Sequence, residues 1–262
     1  MTHFVYLVVG ITLIILGILV PIFKCLGKKD CIESYLLSIS FSLVYYMGFM
    51  LLFSVYIVFD KSNSPEKTSL LPFHLELFIM AILKYGILFF FVWLISFLRN
   101  LSFKQATAFG IGFASFKVIW VGLYILLGVA EDACSPAFLS TLSYHYHYDF
   151  WAFLSAMRFE YFWTFLVLLS EKISIFFIDF MLIVIFLYAF KRKNKKLFAF
   201  VILYETLVNK IADIFTNNAC IEILDFSIYK TVVLFVVLAS ILGIIVRNLK
   251  HRWQEDNLKT ES

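Results

Sequence analysis

The chain has 262 residues, 62% of them hydrophobic and only 15% charged, and a formal net charge of +4. Soluble domains are nearer half apolar and a quarter charged, so a chain this apolar, with 32 Phe, is read as an integral membrane protein with the lipid bilayer as its solvent. The small net charge leaves no electrostatic footprint for nucleic acid, and the four cysteines (Cys25, Cys31, Cys134 and Cys220) form no C-x-x-C pair, which argues against a zinc module or a dense disulfide framework.

A spanning helix needs about 20 mostly apolar residues. Segments of that kind lie at 4–23, 35–59, 71–98, 105–129, 161–190, 197–216 and 228–247. The expected fold is all-α: one polytopic membrane domain over 1–262 with seven transmembrane helices and a short tail at 248–262. The first segment has no basic region before it and no small-residue cleavage site, so it reads as a retained helix and not as a removed signal. Pro21 and Gly27 sit where that helix should end. The third segment opens with His74 and Glu76, placed at the interface. The fourth opens with ATAFGIGFASF, in which Gly110, Gly112, Ala114 and Ser115 let another backbone come close. Its GIG is no phosphate loop, because no Gly-Lys-Ser/Thr follows and no strand precedes it. Before the fifth segment, SYHYHYDF alternates His145, His147 and Asp149. The two imidazoles are weak candidates for a metal; the competing reading is a Tyr/Trp-rich stretch lying at the interface. A Cys134–Cys220 bridge stays open, since both fall in loops of low basicity.

The basic residues set the expected orientation. Loop 24–34 has Lys24, Lys28 and Lys29, loop 99–104 has Arg99 and Lys104, and loop 191–196 reads KRKNKK. The tail adds Arg247, Lys250, Arg252 and Lys259. These are alternate connections, so the positive-inside rule puts the N-terminus outside and the C-terminus in the cytoplasm, with the plasma membrane as the expected location.

Several charges remain inside the apolar segments. They are Lys84, Lys117, Lys172 and Lys210, with Glu76, Glu171, Asp179, Glu205 and Asp213. Each costs about 2.5–3.5 kcal/mol at a helix centre on insertion scales, and the near balance of signs points to pairing. Glu205, Asn209 and Asp213 recur four apart and share one helix face. Asp179 and Glu205 flank the short KRKNKK loop at similar distances, so they should meet at one depth. The expected polar cluster is Arg99, Lys117, Glu171, Lys172, Asp179, Glu205, Asn209, Lys210 and Asp213. One reading is helix glue. The other is a catalytic or ion-handling centre, for which Asp179, Glu205, Asn209 and Glu171 are the candidates. Lys117 is expected to pair with Asp179 or Glu205, and Lys172 and Lys210, close in sequence to the acids, likewise favour ion pairs.

These segments resemble the YhfC family of bacterial membrane proteins, within the CAAX-type and PrsW-type intramembrane protease superfamily, and more distantly the Aph scaffold subunit of γ-secretase. That family carries a Glu-Glu-x-x-Arg element, a glycine-rich helix with a Glu, and two helices each with a His. Here ISFLR keeps only Arg99 of the first element, and AFGIGFASFK has Lys117 where the Glu is expected. SEKISIFFID keeps Glu171 and Lys172 but has Asp179 for a His. YETLVN has Glu205 and Asn209 for a His-x-x-x-Asp element. The resemblance covers about residues 90–215. It implies a protease-like core whose catalytic positions are substituted, so the expected role is a non-catalytic scaffold that binds another membrane protein and needs no cofactor. An active intramembrane peptidase using Asp179, Glu205 and Asn209, with zinc in that case alone, is the alternative. A small transporter is the third; it should show inverted repeats or broken helices, and the sequence displays no internal symmetry.

Overall fold

The computed structural model describes residues 2–25, 28–63, 73–95, 98, 100–133, 159–218 and 227–261. Among them are seven helices and no strand: α1 (Thr2–Cys25), α2 (Lys29–Asn63), α3 (Phe73–Leu94), α4 (Phe103–Ala133), α5 (Phe159–Lys191), α6 (Lys195–Asn218) and α7 (Ser227–Glu261). Four contain stretches long and apolar enough to cross a membrane, at Tyr6–Lys24, Phe103–Leu127, Leu169–Lys191 and Val232–Trp253. That is the character of a membrane protein. A shorter apolar stretch, Phe78–Leu94, lies on α3. The α6 helix falls short because Lys195, Lys196, Glu205, Lys210 and Asp213 interrupt its 24 residues.

Some helix ends differ from the sequence expectation. Pro21 lies inside α1, which continues to Cys25; near a helix end the ring removes a single ladder hydrogen bond. The stretch read as a tail is helical, since α7 runs on to Glu261. At the other ends the local chemistry is plain. Ser102 and Gln105 form a capping box that starts α4: Ser102 N–H donates to Gln105 Oε1 at 2.8 Å, and Gln105 N–H donates to Ser102 Oγ at 3.3 Å. At the end of α5, Lys193 takes a left-handed φ of 50°. Asn194 N–H donates to the Ala189 carbonyl at 2.9 Å and Lys193 N–H to that of Phe190 at 3.1 Å, the Schellman pattern. Asn194 then caps α6, its Oδ1 accepting from the N–H groups of Lys196 and Leu197 at 3.1 and 3.3 Å. One short turn therefore fixes α5 and α6 as antiparallel neighbours.

The core centres on α4 and α5. Every side chain from Met181 to Ala189 is buried, as expected of a helix apolar all round and surrounded by others. The α4 helix packs on α1, α2 and α5, while α3 lies outside, against α6 and α2. Small residues let α4 approach each neighbour. A Cβ on Gly110 would meet the Phe180 carbonyl oxygen of α5 at 2.9 Å, and one on Gly122 would meet the Gly10 carbonyl oxygen of α1 at 2.8 Å. Gly112 faces α2, where Tyr35 and the Ser38 Cβ stand 2.8 and 2.9 Å from the same virtual atom. Ser34, Ser38 and Ser42 form the buried stripe on α2 that receives it, and Ser38 Oγ donates to the Phe109 carbonyl at 2.6 Å. Ala114 and Ser115 are fully buried, and Ser115 Oγ has no hydrogen-bond partner.

Gly110→Ala is expected to destabilise the protein by about 1–3 kcal/mol, because its methyl meets backbone that cannot step aside. Gly86→Ala, whose Cβ meets nothing within 4 Å, should be neutral or stabilising by up to about 1 kcal/mol. Thermal unfolding in one detergent compares the two. Equal shifts would contradict the close α4–α5 contact.

Candidate functional site

Four helices each bring one ionisable side chain to a single point among the apolar segments. Lys84 comes from α3, Lys117 from α4, Asp179 from α5 and Glu205 from α6. Lys84 Nζ donates to Asp179 Oδ1 at 3.0 Å and to Glu205 Oε1 at 2.7 Å. Lys117 Nζ donates to Asp179 Oδ2 at 2.6 Å, and Tyr85 OH donates to Glu205 Oε2 at 3.0 Å. All four carboxylate oxygens therefore carry a donor from this chain. The Lys84, Asp179 and Glu205 side chains are no more than 6% exposed, whereas Lys117 is 24% exposed. Lys84 Nζ also lies 5.2 Å from the Phe113 ring centroid, within cation–π range. Two ammonium groups face two carboxylates, so the cluster is neutral as a whole, the condition under which buried charges are tolerated.

Beside the cluster, between α1, α4 and α5, Lys117, Lys172 and Asp179 line a cleft with Leu13, Val118, Val121 and Ile175. It has about 20 Å³ for the centres of water-sized molecules, room for about one water.

The structure brings together some of the residues singled out in the sequence and separates others. Lys117 and Asp179 touch, and Glu205 joins them through Lys84. Lys172 pairs with its neighbour Glu171 at 2.9 Å and reaches the cluster only as part of the cleft wall. Lys210 and Asn209 are half-buried and bond to neither carboxylate, so the lysines close in sequence to the acids are not the ones that hold them. Gly110, Gly112, Ala114 and Ser115 serve helix packing. The side chains of Arg99, His74, Glu76 and Asp213, and the whole of Cys134, His145, His147, Asp149 and Cys220, lie outside the described residues. Among the described residues no three His, Cys, Asp or Glu side chains converge as a metal ligand set.

Lys84 and Tyr85 were absent from the expected cluster. Lys84 is 95 positions from Asp179 and 121 from Glu205, and no helical period links such distant residues. The available signal was physical: Lys84 is the lone charge of the apolar stretch Phe78–Leu94, with Glu76 two turns away towards the helix start, and a charge so placed must find a partner. Neither family models, nor curated proteins, nor solved structures match this chain.

Lys84→Met leaves Glu205 with Tyr85 alone and Asp179 with Lys117 alone. The expected loss is about 3–5 kcal/mol, the range for breaking a buried ion pair. Lys117→Met should cost less, because Asp179 keeps Lys84. Adding Glu205→Gln to Lys84→Met should recover part of the loss. Folded yield and thermal unfolding of Lys84→Met, Lys117→Met, Glu205→Gln and the double variant measure this, and simple additivity of Lys84→Met and Glu205→Gln would show that Lys84 and Glu205 do not interact.

Proposed function

We propose that this chain is a seven-span protein of the plasma membrane, N-terminus outside and C-terminus cytoplasmic, that holds or presents a second membrane protein without catalysing a reaction. The observation that carries this reading is that every oxygen of both central carboxylates already accepts a hydrogen bond from this chain. A general base needs a free lone pair aimed at the proton it removes, and a metal ligand needs one aimed at the metal. In this cluster Lys84, Lys117 and Tyr85 take one lone pair on each of the four oxygens, and the two ammonium groups beside them repel a cation. The YhfC-type resemblance agrees with it, since Lys117, Asp179 and Glu205 stand where that family has a Glu and two His. A protease-like core would then survive as a structural one. The outward side of α3 offers a surface for a partner helix: Phe90, Trp93 and Leu94 are exposed there, while its inner side packs against α2, α5 and α6.

The orientation is supported by where the basic segments meet. Lys191 at the end of α5 and Trp253 on α7 both donate to the Leu101 carbonyl in the α3–α4 connection, at 3.5 and 3.1 Å. Three of the basic segments thus share one end of the bundle, which the positive-inside rule assigns to the cytoplasm. A cysteine placed at Lys195 should react with an impermeant maleimide only after the membrane is opened. Labelling in intact cells would reverse the orientation.

For the absence of catalysis, purified protein in liposomes is offered transmembrane and prenylated peptides, with and without Zn²⁺. No cleavage is expected, together with co-purification of a second membrane protein from the native membrane. Cleavage that disappears in a folded Asp179→Ala or Glu205→Ala variant would establish the peptidase instead.

A further inference from the structure

The end of the bundle where Leu101 lies is built to a definite shape. Trp253 Nε1 and Lys191 Nζ both donate to the Leu101 carbonyl. Lys191 Nζ stands 5.4 Å from the Trp253 ring centroid, and Tyr188 and Phe103 pack on the same ring at 5.3 and 5.8 Å between centroids. Trp253 is 1% exposed. This clamp ties the last turns of α7 to the end of α5 and the start of α4. The exposed cations of α7 and of the α5–α6 turn are thereby held on one rim, among them Lys193, Lys195, Lys196, Arg247, Lys250 and Arg252. Of the acids at this end, Asp30 and Glu33 on α2 have Lys28 and Lys29 beside them, and Glu255, Asp256 and Glu261 follow Trp253 on α7, where Lys250, Arg252 and Lys259 lie along the same helix.

Two helices pass from apolar to basic along a single exposed face at this rim. On α7, Val237, Ile241 and Ile244 are 47%, 44% and 63% exposed, and Arg247 continues that face one turn later. On α6, Lys196 opens an exposed face that continues through Ala199 to Leu203 and Leu207. At 1.5 Å per residue, Ile244 and Arg247 are separated by about 4.5 Å along the axis. That is close to the depth over which a bilayer changes from hydrocarbon to headgroup, and long basic side chains reach outward from such a position.

We infer that this rim binds the phosphate headgroups of anionic glycerophospholipids, with the acyl chains lying along the exposed apolar faces of α6 and α7. The inference rests on the chain being embedded in a bilayer. It is independent of the scaffold role and of which side is cytoplasmic, so its failure leaves both intact. Charge alone would also attract a free phosphate. The step from apolar to basic on two helices is what selects a lipid, because it offers the headgroup and the chain their sites together.

The test is delipidated full-length protein in neutral detergent, titrated with phosphatidylglycerol or phosphatidylcholine of the same acyl chains, with bound lipid counted by native mass spectrometry. Phosphatidylglycerol should be preferred by roughly tenfold or more, on the scale of about 1 kcal/mol, or fivefold, for each basic residue near the headgroups. The Lys195→Gln, Lys196→Gln, Arg247→Gln triple variant should fall to near parity. In the unaltered protein, raising salt from about 50 mM to about 500 mM should shrink the preference as screening shortens; this measurement stands whether or not the variant inserts. Inorganic phosphate at millimolar concentration should not displace the lipid. Equal binding of the two lipids, a preference insensitive to salt, or a triple variant that inserts and keeps the preference would overturn the proposal. Displacement by inorganic phosphate would overturn it in favour of a small-anion site.

Discussion

One ammonium group shared by two carboxylates holds the centre of this molecule. Lys84 projects from α3, whose backbone runs nearest α6 and α2, and reaches acids on α5 and α6. In a solvent of low dielectric the cost of leaving any of these groups unpaired is several kcal/mol, so the position and rotation of α3 follow from where Asp179 and Glu205 stand. Tyr85, next in sequence, projects from the same helix and takes the remaining oxygen of Glu205. Two adjacent residues thus fix α3 through three hydrogen bonds to acids on two other helices. Apolar contact in lipid has no solvent penalty behind it to do the same, since lipid chains are as apolar as the helix faces they cover.

The ion pairs in turn depend on close packing of the backbones. Gly110 and Lys117 are seven residues apart on α4 and therefore on nearly the same face. That face meets α5, where Phe180 lies against Gly110 and the adjacent Asp179 receives Lys117. A side chain at position 110 would push the two helices apart and lengthen the 2.6 Å contact two turns away. The small-residue patch and the charged cluster are thus two parts of one device, close approach being what lets a mid-helix lysine find its acid.

Much of this was legible in the sequence, and the limits are physical. The apolar segments and the basic loops appear as composition, which survives without any knowledge of contacts. Asp179 and Glu205 could be placed near each other because only a short loop separates their helices, and a short loop makes neighbours. The small residues of α4 announced a close contact but not its partners: Gly110 meets α5, Gly112 meets α2 and Gly122 meets α1. Lys84 could not be placed at all, because its partners are fixed by how α3 docks. Lys117 is expected opposite the acids, whereas Lys172 and Lys210 enter the expected cluster for proximity along the chain. Lys210, five residues after Glu205, is turned well away from it around the helix, and Lys172, seven residues before Asp179, lies about 10 Å from it along the axis and pairs with its neighbour Glu171 instead. The helix ends were misjudged where a local rule met a tolerant setting, with Pro21 absorbed near the end of α1 and the charged stretch after Arg247 continuing as helix.

On the proposed reading, charge neutrality explains how such a core remains stable without metal or chemistry. Two imidazoles are neutral when they bind a metal. Putting Asp179 and Glu205 in such positions adds two negative charges to a place that cannot hold them alone. Lys84 and Lys117 supply two positive charges from the two sides of Asp179, and each removes a lone pair that a metal or a substrate proton would need. Single changes show the dependence: a histidine at 205 leaves Lys84 with one carboxylate, and a glutamate at 117 leaves one lysine among three acids. On that reading a surface that binds a partner asks only rigidity of its interior, and a hydrogen-bonded polar network with a donor on every carboxylate oxygen supplies it.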